Sequence, residues 1–208
     1  MMEDEDVSEN AEEVTETTEY SADLFKHWFK GKGRSGFLSV DPWLEAGKVK
    51  IDIGSLANDK LVSSTMVWAN LIDLYVYLRS VHEGRAGSLF PANQKAGIPT
   101  KEGFAYYGGG SMEGRDVSRI LKIHHWESSD ETFDETAFAW KTGHFVARKS
   151  ATGAFIPDMG QRLSADFIRI PRVKMSEMFV RLDLALNSYA SAQAVQGKKW
   201  WDWKKPGQ

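Results

Sequence analysis

In the segment Lys48–Ile53, KVKIDI, apolar and charged side chains alternate without a break. Successive side chains of an extended chain point to opposite sides. Val49, Ile51 and Ile53 therefore share one face, and Lys48, Lys50 and Asp52 share the other. Such a segment needs a paired neighbour and a covered apolar face, so the chain has to build a sheet with one face wet. The run Gly36–Trp43, set off by Leu44-Glu45-Ala46-Gly47, supplies the other arm of a hairpin. Period two returns in Arg119–Trp126 (RILKIHHW) and in Ala137–Lys149 (AFAWKTGHFVARK), which should kink at Gly143. Shorter extended runs fall at Ala154–Ile156 and Asp166–Ile170.

Two stretches follow a different period. Between residues 61 and 82, Met66, Val67, Asn70, Leu71, Leu74, Leu78 and Val81 recur every three or four positions, which predicts a helix. Asn70, Asp73 and Arg79 lie inside it. A charge at the centre of a bilayer costs about 2.5–3.5 kcal/mol, so the segment reads as a buried core helix and not as a membrane span. Pro171 ends the last strand and opens a helix over 172–193, with Met175, Phe179, Leu182, Leu186 and Tyr189 as its apolar stripe. A short helix capped by Ser21 or Asp23 is expected over Ser21–Lys32. Glycine and proline punctuate residues 83–116, which read as a long loop. Strands followed by a helix, twice, argue for an α+β fold with antiparallel β-sheets and two main helices. An OB-like β-barrel with added helices is the alternative. The two halves are alike in pattern, not in sequence.

Charge divides the chain. Residues 1–20 carry nine acids (Glu3, Asp4, Glu5, Asp6, Glu9, Glu12, Glu13, Glu16, Glu19) and no Lys or Arg. The remaining 188 residues hold 26 basic and 20 acidic groups, a net of +6. The acidic segment has too little apolar surface to offset its ordering entropy, so residues 1–20 read as a disordered tail, either solubilising or competing for a basic groove. Residues 21–196 read as one domain and residues 197–208 as a basic, Trp-rich tail. The acidic start does not resemble a signal peptide, and a cytoplasmic protein is expected. With no cysteine, the chain has no disulfide, no cysteine-ligated metal and no thiol nucleophile.

Sequence motifs for catalysis are weak. There is no phosphate-binding loop signature, and Gly108, Gly110 and Gly114 do not open a helix after a strand. Ser111 does not sit in a nucleophile elbow. His124 and His125 are adjacent on a strand and point apart, so even with His144 and the acids of residues 127–135 they make a poor metal set. No cofactor, no metal and no enzymatic activity is expected. A metal-dependent nuclease stays as one alternative.

The stronger signal is the interleaving of cations with aromatics. The chain has eight tryptophans. Lys26, Trp28, Lys30, Lys32 and Arg34 form one cluster. Lys122, His124 and Trp126 share a strand face opposite Leu121 and Ile123. Trp140 and His144 share a face of the next strand, which ends in Arg148 and Lys149. Trp200, Trp201 and Trp203 lie among Lys198, Lys199, Lys204 and Lys205. Single-stranded nucleic acid needs cations along its phosphates and flat apolar faces under its bases, each stacked base being worth about 1–3 kcal/mol. No helix that would enter a duplex groove is evident.

Over roughly residues 36–193 the order of strands and helix resembles the single-stranded DNA-binding proteins of phages and mobile elements, and the Whirly-type architecture in particular. That resemblance implies a non-enzymatic protein that binds single-stranded DNA, more readily than RNA, in replication or recombination. A homo-oligomer is compatible with it and a membrane partner is not. A virion or assembly protein, with tryptophans at subunit contacts, is the other alternative.

Overall fold

Four strands run β1 (Phe25–Gly31), β2 (Arg34–Trp43), β3 (Lys48–Ala57) and β4 (Lys60–Asn70), each antiparallel to the one before. Helix α1 (Leu71–His82) follows. The plan then repeats: β5 (Phe104–Met112), β6 (Arg115–Trp126), β7 (Ala137–Lys149), β8 (Phe155–Pro171) and helix α2 (Arg172–Val195). The molecule is thus a strand-dominated α+β protein of two four-stranded antiparallel sheets and two helices, in a computed structural model that describes residues 24–31, 34–58, 60–85, 103–126 and 137–197. The pairings run β1-β2-β3-β4 and β5-β6-β7-β8, two antiparallel meanders.

Alternation builds both sheets as KVKIDI foretells. In the first, the register row Phe25–Val40–Ile51–Val67 is buried throughout. In the second, Ile123, Trp140 and Ile168 form a matching buried row behind Phe104. These inner faces share one core with Leu71, Leu74, Leu78 and Val81 of α1 and with Met175, Met178 and Leu182 of α2. Polar links also cross between the two sheets. The buried Asp166 carboxylate of β8 accepts hydrogen bonds from Ser55 (3.0 Å), Ser63 (2.5 Å) and Thr65 (2.6 Å) of the first sheet. His144 Nε2 on β7 lies 2.7 Å from the Met66 carbonyl oxygen on β4. A buried carboxylate needs this many donors to offset its lost hydration.

Several expectations are corrected. Residues 25–31 form an edge strand where a helix over Ser21–Lys32 was expected, and residues 21–23 lie outside the described residues. The helix expected to start at residue 61 starts at Leu71, and residues 60–70 are strand β4. Thr65, Val67 and Ala69 bury while Ser64, Met66 and Trp68 face outward, so pairing with β3 prevails over the three-and-four spacing. Asn70 then caps α1, its Oδ1 accepting from the Ile72 and Asp73 amides. Trp68 is thus a half-buried residue of the outer face of β4. The stretch expected to be a loop over 83–116 contains β5 and the start of β6. Its glycines suit a strand because Phe155 packs against the backbone there: a Cβ on Gly109 would sit 2.0 Å from the Phe155 ring. The runs at residues 154–156 and 166–170 are the two ends of β8, and register shifts follow Gly143 near the expected kink.

The two helices lie side by side. Tyr75 donates to Asp183 Oδ1 at 2.7 Å, and the Phe179 ring packs between Tyr75 and His82. Further along, Arg181 of α2 donates to the Leu24 carbonyl at the start of β1. His27 on β1 lies beneath the same helix. Burial, then the Lys174 ammonium, lowers its pKa, and Glu177 opposes this in part. A lowered folded-state value means that the neutral ring is the form the fold accommodates. Stability is complete above the unfolded value of about 6.5 and is lost as pH falls through and below it. Acidification from about pH 7.5 to pH 5 should lower the melting temperature, and His27→Gln should flatten that slope. An unchanged slope in His27→Gln would assign the effect to other groups.

Candidate nucleic-acid interface

Outer faces are what the core leaves over, and the ladder register identifies their occupants. On the second sheet, one outer row reads Ala105–Lys122–Lys141–Phe167. The neighbouring rows contribute Tyr107 on one side, and His124 with Arg169 on the other. Leu121 and Ile123, between the outward residues of β6, are fully buried. Tyr107 is 51% and Phe167 46% exposed, high for aromatic side chains on a sheet.

Cations and rings touch on this face. Lys122 Nζ lies 6.0 Å from the Tyr107 ring centre. Lys141 Nζ stands 6.0 Å from the Phe167 ring, and the Arg169 guanidinium 5.8 Å from the same ring. Each contact is worth about 0.5–1 kcal/mol at an exposed site and holds the ammonium or guanidinium near the ring. Among the described residues the central rows of this face hold no carboxylate; Asp116 lies toward the far end, where it pairs with Lys149 at 3.6 Å. Positive charge is therefore concentrated around flat, half-open rings.

The first sheet also carries rings and lysines outward. Lys26 Nζ is 5.3 Å from the Trp28 ring and 5.9 Å from Phe37, and those two rings are 5.6 Å apart. Phe37 lies flat because β3 has glycine beside it: a Cβ on Gly54 would meet the Phe37 ring at 2.3 Å. Trp43 and Trp68 make a second ring pair at 5.9 Å. Lys50 pairs with Trp68 and Asp41 in the ladder, and Lys48 pairs with Trp43.

The residues singled out from the sequence thus separate into groups. Lys122 and His124 lie on the outer face of the second sheet, and Lys26 and Trp28 on that of the first. Trp126 pairs with Ala137 at the end of the β6 ladder, while Lys30 and Arg34 pair with Ser35 and Gly31 at the β1–β2 hairpin end. Lys32, Trp200, Trp201 and Trp203 lie outside the described residues. Arg148 and Lys149 stand apart, seven and eight residues along β7 from Lys141, or roughly 23–26 Å at strand rise. Trp140 is corrected outright. It is fully buried, and its indole N–H donates to Met175 Sδ at 3.1 Å, so its faces are closed to any ligand.

Lys141, Phe167 and Arg169 were not singled out from the sequence. The signal was there for two of them: in ADFIRIP, Ile168 and Ile170 mark the inner face, which turns Phe167 and Arg169 outward. His124 and His144 occupy opposite faces of the second sheet and do not converge. No group of three His, Asp or Glu able to hold a metal occurs among the described residues. No helix among them is long and apolar enough to cross a membrane. No protein-family model matches the chain, and no curated protein matches it.

Proposed function

We propose that this chain binds single-stranded nucleic acid across the outer face of its second sheet. The observation that carries the reading is the Lys122–Lys141 pair, adjacent in the ladder and flanked by the exposed Tyr107 and Phe167 rings. Phosphates would lie over the lysines and Arg169, and unstacked bases over the rings. This division of labour suits single strands, whose bases are free to leave one another. A duplex keeps its bases stacked and would offer the exposed rings nothing to stack on. The strands-then-helix order, present twice, supports a likeness to Whirly-type proteins. A place in replication or recombination, and a preference for DNA over RNA, belong to the same proposal.

Salt tests it. With Lys122, Lys141 and Arg169 each neutralising a phosphate, log affinity for a labelled oligothymidine should fall against log salt with a slope of about −2, at about −0.7 per contact. Duplex of the same length should bind more weakly, and RNA should compete less well than DNA. A flat salt response, or no binding at low ionic strength, overturns the reading.

A further inference from the structure

We propose that a single copy of this chain holds two single strands at once, one on each sheet, and so tethers them. The inference rests on the reading above for the second sheet, and extends it to the first.

Three observations lead there. First, the inner faces are used up on each other and on the helices. Asp166 takes three hydroxyl donors from the first sheet, His144 reaches the Met66 carbonyl, and both sheets feed one apolar core. The outer faces are turned away from that shared core, so a strand lying on one does not touch the other. Second, the outer face of the first sheet repeats the pattern of the second with different residues. It has a lysine over a ring pair (Lys26 with Trp28 and Phe37), and beyond it Lys50 beside the Trp43–Trp68 pair. Trp28 is 58% and Trp43 55% exposed, more open than the rings of the second sheet. Third, charge on this face suits a polyanion. Among the described residues, Lys26, Lys48 and Lys50 face outward with two acids, Asp41 and Asp52. Asp52 accepts a hydrogen bond from Ser64 at 2.5 Å, and Asp41 one from Ser39 at 3.4 Å.

With more aromatic surface and less net positive charge, the first sheet should depend more on stacking and less on salt. Two tracts of unlike salt response on one chain would let one strand exchange while the other stays bound.

Stoichiometry decides the matter, because oligonucleotides per chain can be counted whatever the oligomeric state. Full-length protein would be titrated with a short oligothymidine, about eight nucleotides, and read by native mass spectrometry and by calorimetry. The expected result is two oligonucleotides per chain. Lys122→Glu with Lys141→Glu should leave one, bound with weak salt dependence. Lys26→Glu with Trp28→Ala should leave the other, bound with strong salt dependence, and all four substitutions together should leave none. A saturating count of one per chain in the wild type, or a Lys26/Trp28 variant that still binds two, overturns the tethering while leaving the function of the second sheet intact. Absence of any bound oligonucleotide in the wild type overturns both. The wild-type count needs no variant, so a variant that folds poorly does not rescue the idea.

Discussion

Trp140→Ala should lower the stability of the fold by about 3–5 kcal/mol, the range for removing a large aromatic from a core. Trp140 is fully buried on β7 between Ile123 and Ile168, and the neighbouring sheet and helix leave little room to collapse into the void. It also ties sheet to helix, since its indole N–H meets Met175 Sδ on α2. The substitution therefore removes packing on both sides of one layer boundary. For a domain whose whole stability is about 5–15 kcal/mol, that is a large share. Urea denaturation followed by far-ultraviolet dichroism should show a lower midpoint with an unchanged slope. Trp140→Phe keeps most of the ring volume and should fall well short of the alanine effect. A Trp140→Ala variant with a wild-type midpoint would mean that the side chain is not in the core. The expectation from sequence was different, a residue of the nucleic-acid interface.

Why Trp140 misled is a question of strand parity. In AFAWKTGHF the residues at 138, 140, 142 and 144 share a face, and the choice of which face turns inward rests on one charge, Lys141. A lysine stays solvated, so Lys141 turns outward and Trp140 goes in. Pairing tryptophan with its neighbouring cations by sequence proximity, and not by face, hides this. In RILKIHHW the apolar Leu121 and Ile123 make the parity unambiguous, and there the faces are legible.

Residues 60–70 illustrate a second limit. Thr65, Val67 and Ala69 fit a strand, but Met66, Val67, Asn70 and Leu71 also fit a helical stripe, and the two periods overlap where β4 runs into α1. Asn70 as cap marks the boundary, a signal available in the sequence and easily passed over inside an apolar run. The glycine run of β5 is the opposite case. Nothing local says strand in YYGGGS. It becomes one because β6 supplies the ladder and Phe155 from β8 fills the space side chains would take. Such long-range compensation cannot be read from a window of residues.

Lys122→Glu combined with Lys141→Glu should weaken oligothymidine binding to the second sheet by about a hundredfold at about 0.1 M salt. The estimate comes from the counterion term: losing two contacts removes about 1.4 from the salt slope, about 25-fold between 1 M and 0.1 M salt, and repulsion by the two new negative charges adds roughly another fourfold. The melting temperature should change little, because Lys141 is exposed, Lys122 sits at the outer surface, and surface substitutions stay within about 0.5 kcal/mol. Phe167→Ala should cut affinity by roughly 5- to 150-fold, with about 1–3 kcal/mol of stacking lost and the salt slope kept. The two classes of variant thus separate charge from stacking by slope and not by size alone. Arg148→Glu serves as the control, being as exposed a cation on the same sheet but well along β7 from the ring cluster. If Arg148→Glu weakens binding as much as the double reversal does, the attraction is the diffuse field of a basic protein, and the Tyr107–Phe167 face loses its claim to be the site.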